Sequence, residues 1–266
     1  MSLFFANVLK IIRQYWPSLL LGVRVTLLVS LIGTVIGLLI GLLVGGLRAV
    51  KLDYTASPAS RLMKKLFDII ANIYITIFRG TPMMVQAVFI YYALLNVLHW
   101  TNIVAAVFVI SVNTGAYMAE IIRSGIQAVD YGQTEAARSL GMSNTQTMLS
   151  VVLPQAVRNA FPAIGNEFIV NIKDSSVLMI ISISELMFQS KSIAGTTFRF
   201  TETYFVEACI YLILTSIAAF ILNTIEKRMN QTALSLPQSD TDPNNMKFAA
   251  TKKQKGANSD YDITDR

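Results

Sequence analysis

Five apolar stretches dominate the chain, at about 18–47, 62–98, 103–125, 158–185 and 203–227. Each reaches the roughly 20 residues that a helix needs to cross about 30 Å of hydrocarbon. Backbone groups in lipid find no water, so each stretch must satisfy its own polar atoms, as a helix does. These runs predict an all-α polytopic membrane protein with about five transmembrane helices. Composition points the same way: of 266 residues 53% are hydrophobic and only 14% charged, against about 25% charged in an average soluble domain. That is too little charge to cover a water-facing surface. A disordered chain, a disulfide-stapled secreted module and an ordinary cytosolic enzyme are all excluded. One histidine, His99, rules out an all-histidine metal site, and the lone Cys209 cannot close an intramolecular disulfide. The first stretch is too long for a signal-peptide core and lacks a small-residue cleavage pattern. It is kept as a mature span, 1–17 being a separate N-terminal segment. Arg24 near its start can snorkel to the interface.

Loop charge sets the expected orientation. Arg48, Lys51, Arg61, Lys64 and Lys65 follow the first span, and none lies between the second and third, around His99 to Asn102. Arg138 and Arg158 fall between the third and fourth, with Arg123 at the edge, and Lys227 and Arg228 follow the fifth. The bias predicts an outside N-terminus and a cytoplasmic C-terminus. Lys10, Arg13, Lys191 and Arg199 run against it. The net charge of +6 therefore marks loops at a membrane and not nucleic-acid binding. Residues 231–266 carry five acids and five bases, so the net charge belongs to the membrane-embedded body, whose main domain is expected at 18–230. The tail is expected to be disordered and solvated.

The second stretch is too long for one simple span, and Arg79-Gly80-Thr81-Pro82 breaks it. Proline fits a first helical turn and the preceding threonine can cap it. The pattern predicts an amphipathic helix over 62–78 leading into a span from Pro82 to about Leu98; a six-crossing arrangement stays open. Gly33, Gly37, Gly41 and Gly45 form a stripe on the first span where another helix can approach closely, within the bundle or across a subunit contact.

Polar groups inside spans normally face protein or a water-filled cavity, because a charge at the bilayer centre costs about 2.5–3.5 kcal/mol on insertion scales. Asn113, Tyr117 and Glu120 share one face of the third span, and Glu167, Asn171 and Asp174 repeat that spacing on the fourth, beside Asn166. Gln86 lies one turn after Pro82. Glu167, Asn166, Asn113, Tyr117 and Gln86 are the candidate substrate-pathway residues; helix–helix hydrogen bonding is the other reading of Asn113 and Tyr117.

Between the third and fourth spans, residues 126–157 read as two short helices. One runs from Thr134 to Leu140 and stops at Gly141; the other runs to Leu153 and is interrupted by Pro154. Such a knob suits docking, or is simply an ordered loop. Its residues carry a specific resemblance: Glu135-Ala136-Ala137, three residues, Gly141, nine residues, then Val151, one residue and Leu153-Pro154. This resembles the EAA loop of ABC importer permeases, with Val151 where isoleucine is commoner. Arg79-Gly80-Thr81-Pro82 with Gln86 and Phe89 to Leu94, Asn113 to Tyr117 with Glu120, and Gly165 to Phe168 with Lys173 to Ser176 resemble the polar amino acid uptake branch. The likeness covers about 15–230.

The resemblance implies a type I importer permease. It forms the translocation pathway and couples through Glu135, Ala136, Ala137 and Gly141 to a cleft on a separate ATP-binding subunit. Closure of the ATPase dimer would then move the loop and switch the spans from inward-facing to outward-facing. Expected partners are an ABC ATP-binding subunit dimer, a second permease copy or paralogue, an extracellular amino-acid-binding protein, the lipid bilayer and the amino acid substrate. No cofactor is expected in this chain, ATP and Mg residing on the partner. No G-x-x-x-x-G-K-[ST] loop occurs in the sequence, and no catalytic or metal-ligand cluster stands out. A non-catalytic subunit of the bacterial inner membrane is the expectation, with an ion channel or secondary carrier as the rival class and a membrane enzyme disfavoured. Glu167, taken as an unpaired acid in a span, predicts a basic amino acid (arginine, lysine or histidine); glutamine or cystine is the alternative.

Overall fold

The structure, a computed structural model, describes residues 2–50 and 57–234. The chain divides into two units, 1–223 and 224–266. The expectation for the polar tail falls, from residue 235 onward, outside the described residues. All regular elements among the described residues are helical: α1 (Ser2–Ala49), α2 (Pro58–Gly80), α3 (Met83–Leu98), α4 (Asn102–Gln127), α5 (Tyr131–Ser139), α6 (Asn144–Thr147), α7 (Leu153–Asp174), α8 (Leu186–Thr197) and α9 (Phe200–Leu234). A π turn, Met148–Val152, leads into α7 and a 3₁₀ turn, Ser175–Ile181, leaves it.

Three helices are long and apolar enough to cross a membrane alone: Leu3–Ala49, Asn102–Gln127 and Phe200–Met229. Two bent pairs pass together, α2 with α3 at 114° and the segment Asn144–Ile181 with α8 at 57°, so the described helices make up to five spans if each pair is one span. The boundary expected at 17/18 is not a helix boundary, because α1 passes unbroken through Pro17. Lipid-embedded helices accept such prolines when neighbours re-satisfy the freed carbonyl.

The bundle is centred on α4. Two-thirds (67%) of its apolar window is buried, against 17% for α9, so α9 presents most of its surface outward. Between membrane helices apolar transfer offers little, and close contact carries the association. The glycine stripe supplies that contact within the subunit: Gly33 lies against Ile110, Gly37 against Thr114, Gly41 against Met118 and Gly45 against Ala119. A cluster of Val29, Ala87, Val109, Ile110 and Leu178 then joins α1, α3, α4 and the 3₁₀ turn. Met118, Ile122, Ala160 and Ile164 join α4 to α7.

Polar side chains lock the same contact. Asn171, 2% exposed, accepts from the Thr114 hydroxyl at 3.1 Å and donates to Thr34 Oγ1 at 2.8 Å. Ser30 donates to the Asn171 carbonyl at 2.9 Å. Asn171, expected on a polar face with Glu167, is therefore the knot between α1, α4 and α7. Glu185 is a second buried polar anchor. Fully buried at the N-terminus of α8, its carboxylate accepts from the amides of Met187 (2.8 Å) and Phe188 (2.7 Å) and from the Tyr211 hydroxyl (3.1 Å). It caps the helix and ties it to α9.

Candidate coupling loop and translocation pathway

The loop between α4 and α7 is built by local rules. Asp130 caps α5 by accepting from the Gly132 amide at 2.8 Å. Helix α5 ends in paired bonds, the Met142 amide to the Ala137 carbonyl at 3.2 Å and the Gly141 amide to the Arg138 carbonyl at 2.9 Å. This is the Schellman arrangement, which needs a left-handed residue between the two; Gly141 supplies it with φ +82°. Helix α6 starts in a capping box, Ser143 with Gln146. Pro154 does not interrupt the second piece. It sits in the first turn of α7, where an amide hydrogen is not needed, directly after the π turn. Of the expected coupling residues, Glu135 and Ala136 are exposed, Ala137 is buried beneath them, and Gly141 closes the helix. Leu140 is 84% exposed at the same tip. Sequence reading placed it only at the end of a helix; an apolar residue held in water next to a glycine stop is the signal that marks it.

The break between α2 and α3 is organised by Gln86 and Asn113. Pro82 leaves carbonyls without partners, and the Gln86 amide answers them by donating to Phe78 O (3.0 Å), Thr81 O (2.9 Å) and Thr81 Oγ1 (2.8 Å). Asn113 donates to Gln86 Oε1 at 2.8 Å and to Phe78 O at 3.2 Å. Both side chains are buried. Their donors are spent on holding the bend, which aligns with the helix–helix reading of Asn113.

Glu120, on the same predicted face as Asn113 and Tyr117, is neutralised at the loop end of α4. Arg48 reaches it at 2.6 Å and Arg123 at 2.8 Å, while Arg48 also bonds Asn72. A further charge stands at Tyr117. The Arg79 guanidinium stands 5.3 Å from its ring centroid, within cation–π range. Glu167, 9% exposed on α7, lies in electrostatic reach of both Arg79 and Asp174. Asn166 is exposed beside it. Arg79 was legible only as part of a helix break, although a charge inside so long an apolar stretch was itself a signal.

Residues 54–231 match the family model described as "Binding-protein-dependent transport system inner membrane component". The chain belongs to this family. The glutamine transport system permease protein GlnP of Escherichia coli K12 is 40% identical over 163 residues, covering 60% of this permease and 74% of its relative. The probable amino-acid permease protein YxeN of Bacillus subtilis is 37% identical over 166 residues, 61% of this permease and 74% of that protein. Among solved structures, one described as an amino acid ABC transporter with histidines shares 37% identity at a TM-score of 0.71, over 82% of this permease and 96% of that chain. The MetNI methionine transporter, 21% identical at a TM-score of 0.68 over 82% and 98%, shows the shared fold. The permease is accordingly a non-catalytic, multi-pass inner-membrane subunit of an amino acid ABC importer. Its family works with ATPase and substrate-binding partners.

Proposed function

We propose that this permease carries a zwitterionic polar amino acid, glutamine first, along a path walled by Glu167, Tyr117, Asn166 and Arg79. The observation that carries this is a cation and an acid among the pathway candidates: Arg79 stands over the Tyr117 ring, and Glu167 is buried on α7. A cation and an anion along one path complement an α-carboxylate and an α-ammonium group, whereas a lone acid would complement a basic side chain. Relatives whose names specify glutamine support the same choice over a basic main substrate. Gln86 and Asn113 shape the wall by holding the bend. A second reading, histidine, has the support of the 37%-identical transporter described with histidines.

The rest of the assembly follows from the loop. Two ATP-binding subunits hold ATP and Mg and seat on Glu135, Ala136, Ala137 and Leu140, with the loop and C-terminus cytoplasmic and the N-terminus outside. A second permease copy or a paralogue completes the pore, and an amino-acid-binding protein delivers the substrate. Uptake by vesicles containing the complete transporter tests the reading. Labelled glutamine should enter only with ATP hydrolysis, outcompeted by unlabelled glutamine more than by arginine. Glu167→Gln and Arg79→Gln should each lower uptake about tenfold, the loss of ~1.4 kcal/mol of interaction. Full uptake in both variants refutes the path; a loss confined to Glu167→Gln, with histidine the best competitor, decides for the second reading.

A further inference from the structure

Helix α7 differs from the other long helices in what it turns outward. Helices α1, α2, α3, α4 and α9 each expose large apolar side chains, Leu39, Ile70, Phe89, Phe108 and Leu212 among them. On α7 every large apolar residue is buried or half-buried. Its exposed residues are polar or small: Gln155, Arg158, Asn159, Ala163, Asn166 and Lys173, with two prolines. Yet the segment that contains α7 is, together with α8, apolar and long enough to make one span. A polar face on such a helix looks onto protein or a water-filled path and not onto lipid. Asn159, Asn166 and Lys173 recur every seven residues, about two turns, and so form one row with ~10 Å between members. The middle member lies beside Glu167. Lys173 stands at the end of α7 far from the coupling loop and forms no ion pair among the described residues. Asp174, its neighbour in sequence, projects about 100° away around the helix.

We propose that Lys173 is the first carboxylate-binding residue of the path: its ammonium group meets the α-carboxylate of the incoming amino acid before the substrate reaches Asn166, Glu167 and Arg79. Lys173 adds an entry point to the path proposed above, on which this role rests. In an importer the amino acid arrives from the side opposite the ATPase, and α7 leads away from the coupling loop, from Leu153 to Asp174. An ammonium group that no protein carboxylate occupies can take one from the substrate, in a charge-assisted bond roughly twice as strong as a neutral one. Lysine suits a passing contact, being a point charge on a flexible stem, where the arginine fork would hold a carboxylate by two bonds. A cation in the last turn also suits the helix dipole. That role alone would show in stability and not in transport.

The test uses vesicles containing the complete transporter, with the exposed free Cys209 replaced by serine throughout. The labelled substrate is glutamine or histidine, whichever the otherwise unsubstituted transporter carries better. Lys173→Gln should lower uptake at saturating substrate about fivefold, the equivalent of ~1 kcal/mol, and Lys173→Arg should keep most of it. ATP hydrolysis stimulated by the loaded binding protein should persist in Lys173→Gln, so that fewer amino acids enter per ATP. Lys173→Cys should regain uptake when aminoethyl methanethiosulfonate restores a cation, and not when sulfonatoethyl methanethiosulfonate adds an anion. Thermal stability should be the same with either reagent. Because that comparison is made within one assembled protein, it holds even if the glutamine variant does not assemble. Full uptake in Lys173→Gln, recovery that is absent with the cationic reagent or equal with both, or a loss that follows melting temperature overturns the proposal. If Lys173→Gln is fully active while Glu167→Gln and Arg79→Gln are impaired, only the role of Lys173 falls. Full activity in all three removes the path with it.

Discussion

Gly41 and Gly141 are the same residue used for opposite reasons. A methyl group on Gly41 would sit 2.7 Å from the Met118 carbonyl carbon and 3.0 Å from the Ala119 amide, so the α1–α4 contact has no room for it. A methyl group on Gly141 would meet nothing within 4 Å, but its φ of +82° is one that L side chains rarely adopt. In the bundle glycine is chosen for space; in the coupling loop it is chosen for backbone direction. The first holds together distant parts of the chain and the second sets one local turn. Damage should therefore spread at Gly41 and stay confined at Gly141.

The largest effect should come from Gly41→Leu. Four extra carbons must displace the α4 backbone, and a packed interior resists such overfilling by about 3 kcal/mol. The Asn171 knot, which needs α1, α4 and α7 in register, should fail with it. The expected outcome is loss of the monodisperse peak in detergent size-exclusion and a sharp fall in thermal stability. A variant that runs as a stable, monodisperse protein would mean that the α1–α4 contact can open without loss of the fold.

Gly141→Val should cost less and act elsewhere. A left-handed residue with a side chain is disfavoured by roughly 1–2 kcal/mol, and the open surroundings add no clash. Membrane insertion and bundle stability should be unchanged, while transport falls because the α5 tip carrying Glu135, Ala136 and Leu140 is re-aimed. Gly141→Asn should retain most of the coupling, since asparagine tolerates this conformation. Equal loss in both variants would assign the glycine to space after all and remove the contrast with Gly41.

Features written in consecutive residues were legible before any coordinates. The break at 79–82 and the stop at Gly141 depend on near neighbours, and the structure places each where the residues predict; the apolar runs are helical, though the first extends back through Pro17 to Ser2. What was not legible depends on partners far along the chain. Glu120 meets Arg48 across 72 positions, and Asn171 meets Thr34 across 137. No periodicity announces such pairs, so two residues that shared polar faces with pathway candidates turn out to be structural. Pro154 misled differently. A proline inside a helical pattern usually ends the helix, but the π turn over Met148–Val152 lets one begin there.

The smallest effect should come from Ser143, which tests how local the loop is. Its hydroxyl accepts from the Gln146 amide at 3.2 Å, and the Gln146 side chain returns the bond to the Ser143 amide at 2.9 Å. Both bonds are exposed and belong to one turn, so Ser143→Ala should cost about 1 kcal/mol, and Ser143→Gly only a few tenths. That is enough to fray α6, a helix of four residues, and too little to disturb the spans. Hydrogen exchange should rise for amides 144–147 in Ser143→Ala and stay unchanged in α4 and α7. If exchange rises in α4 as well, the loop and the bundle form one cooperative unit. The separation between locally set and distantly set glycines would then be one of position and not of energetics.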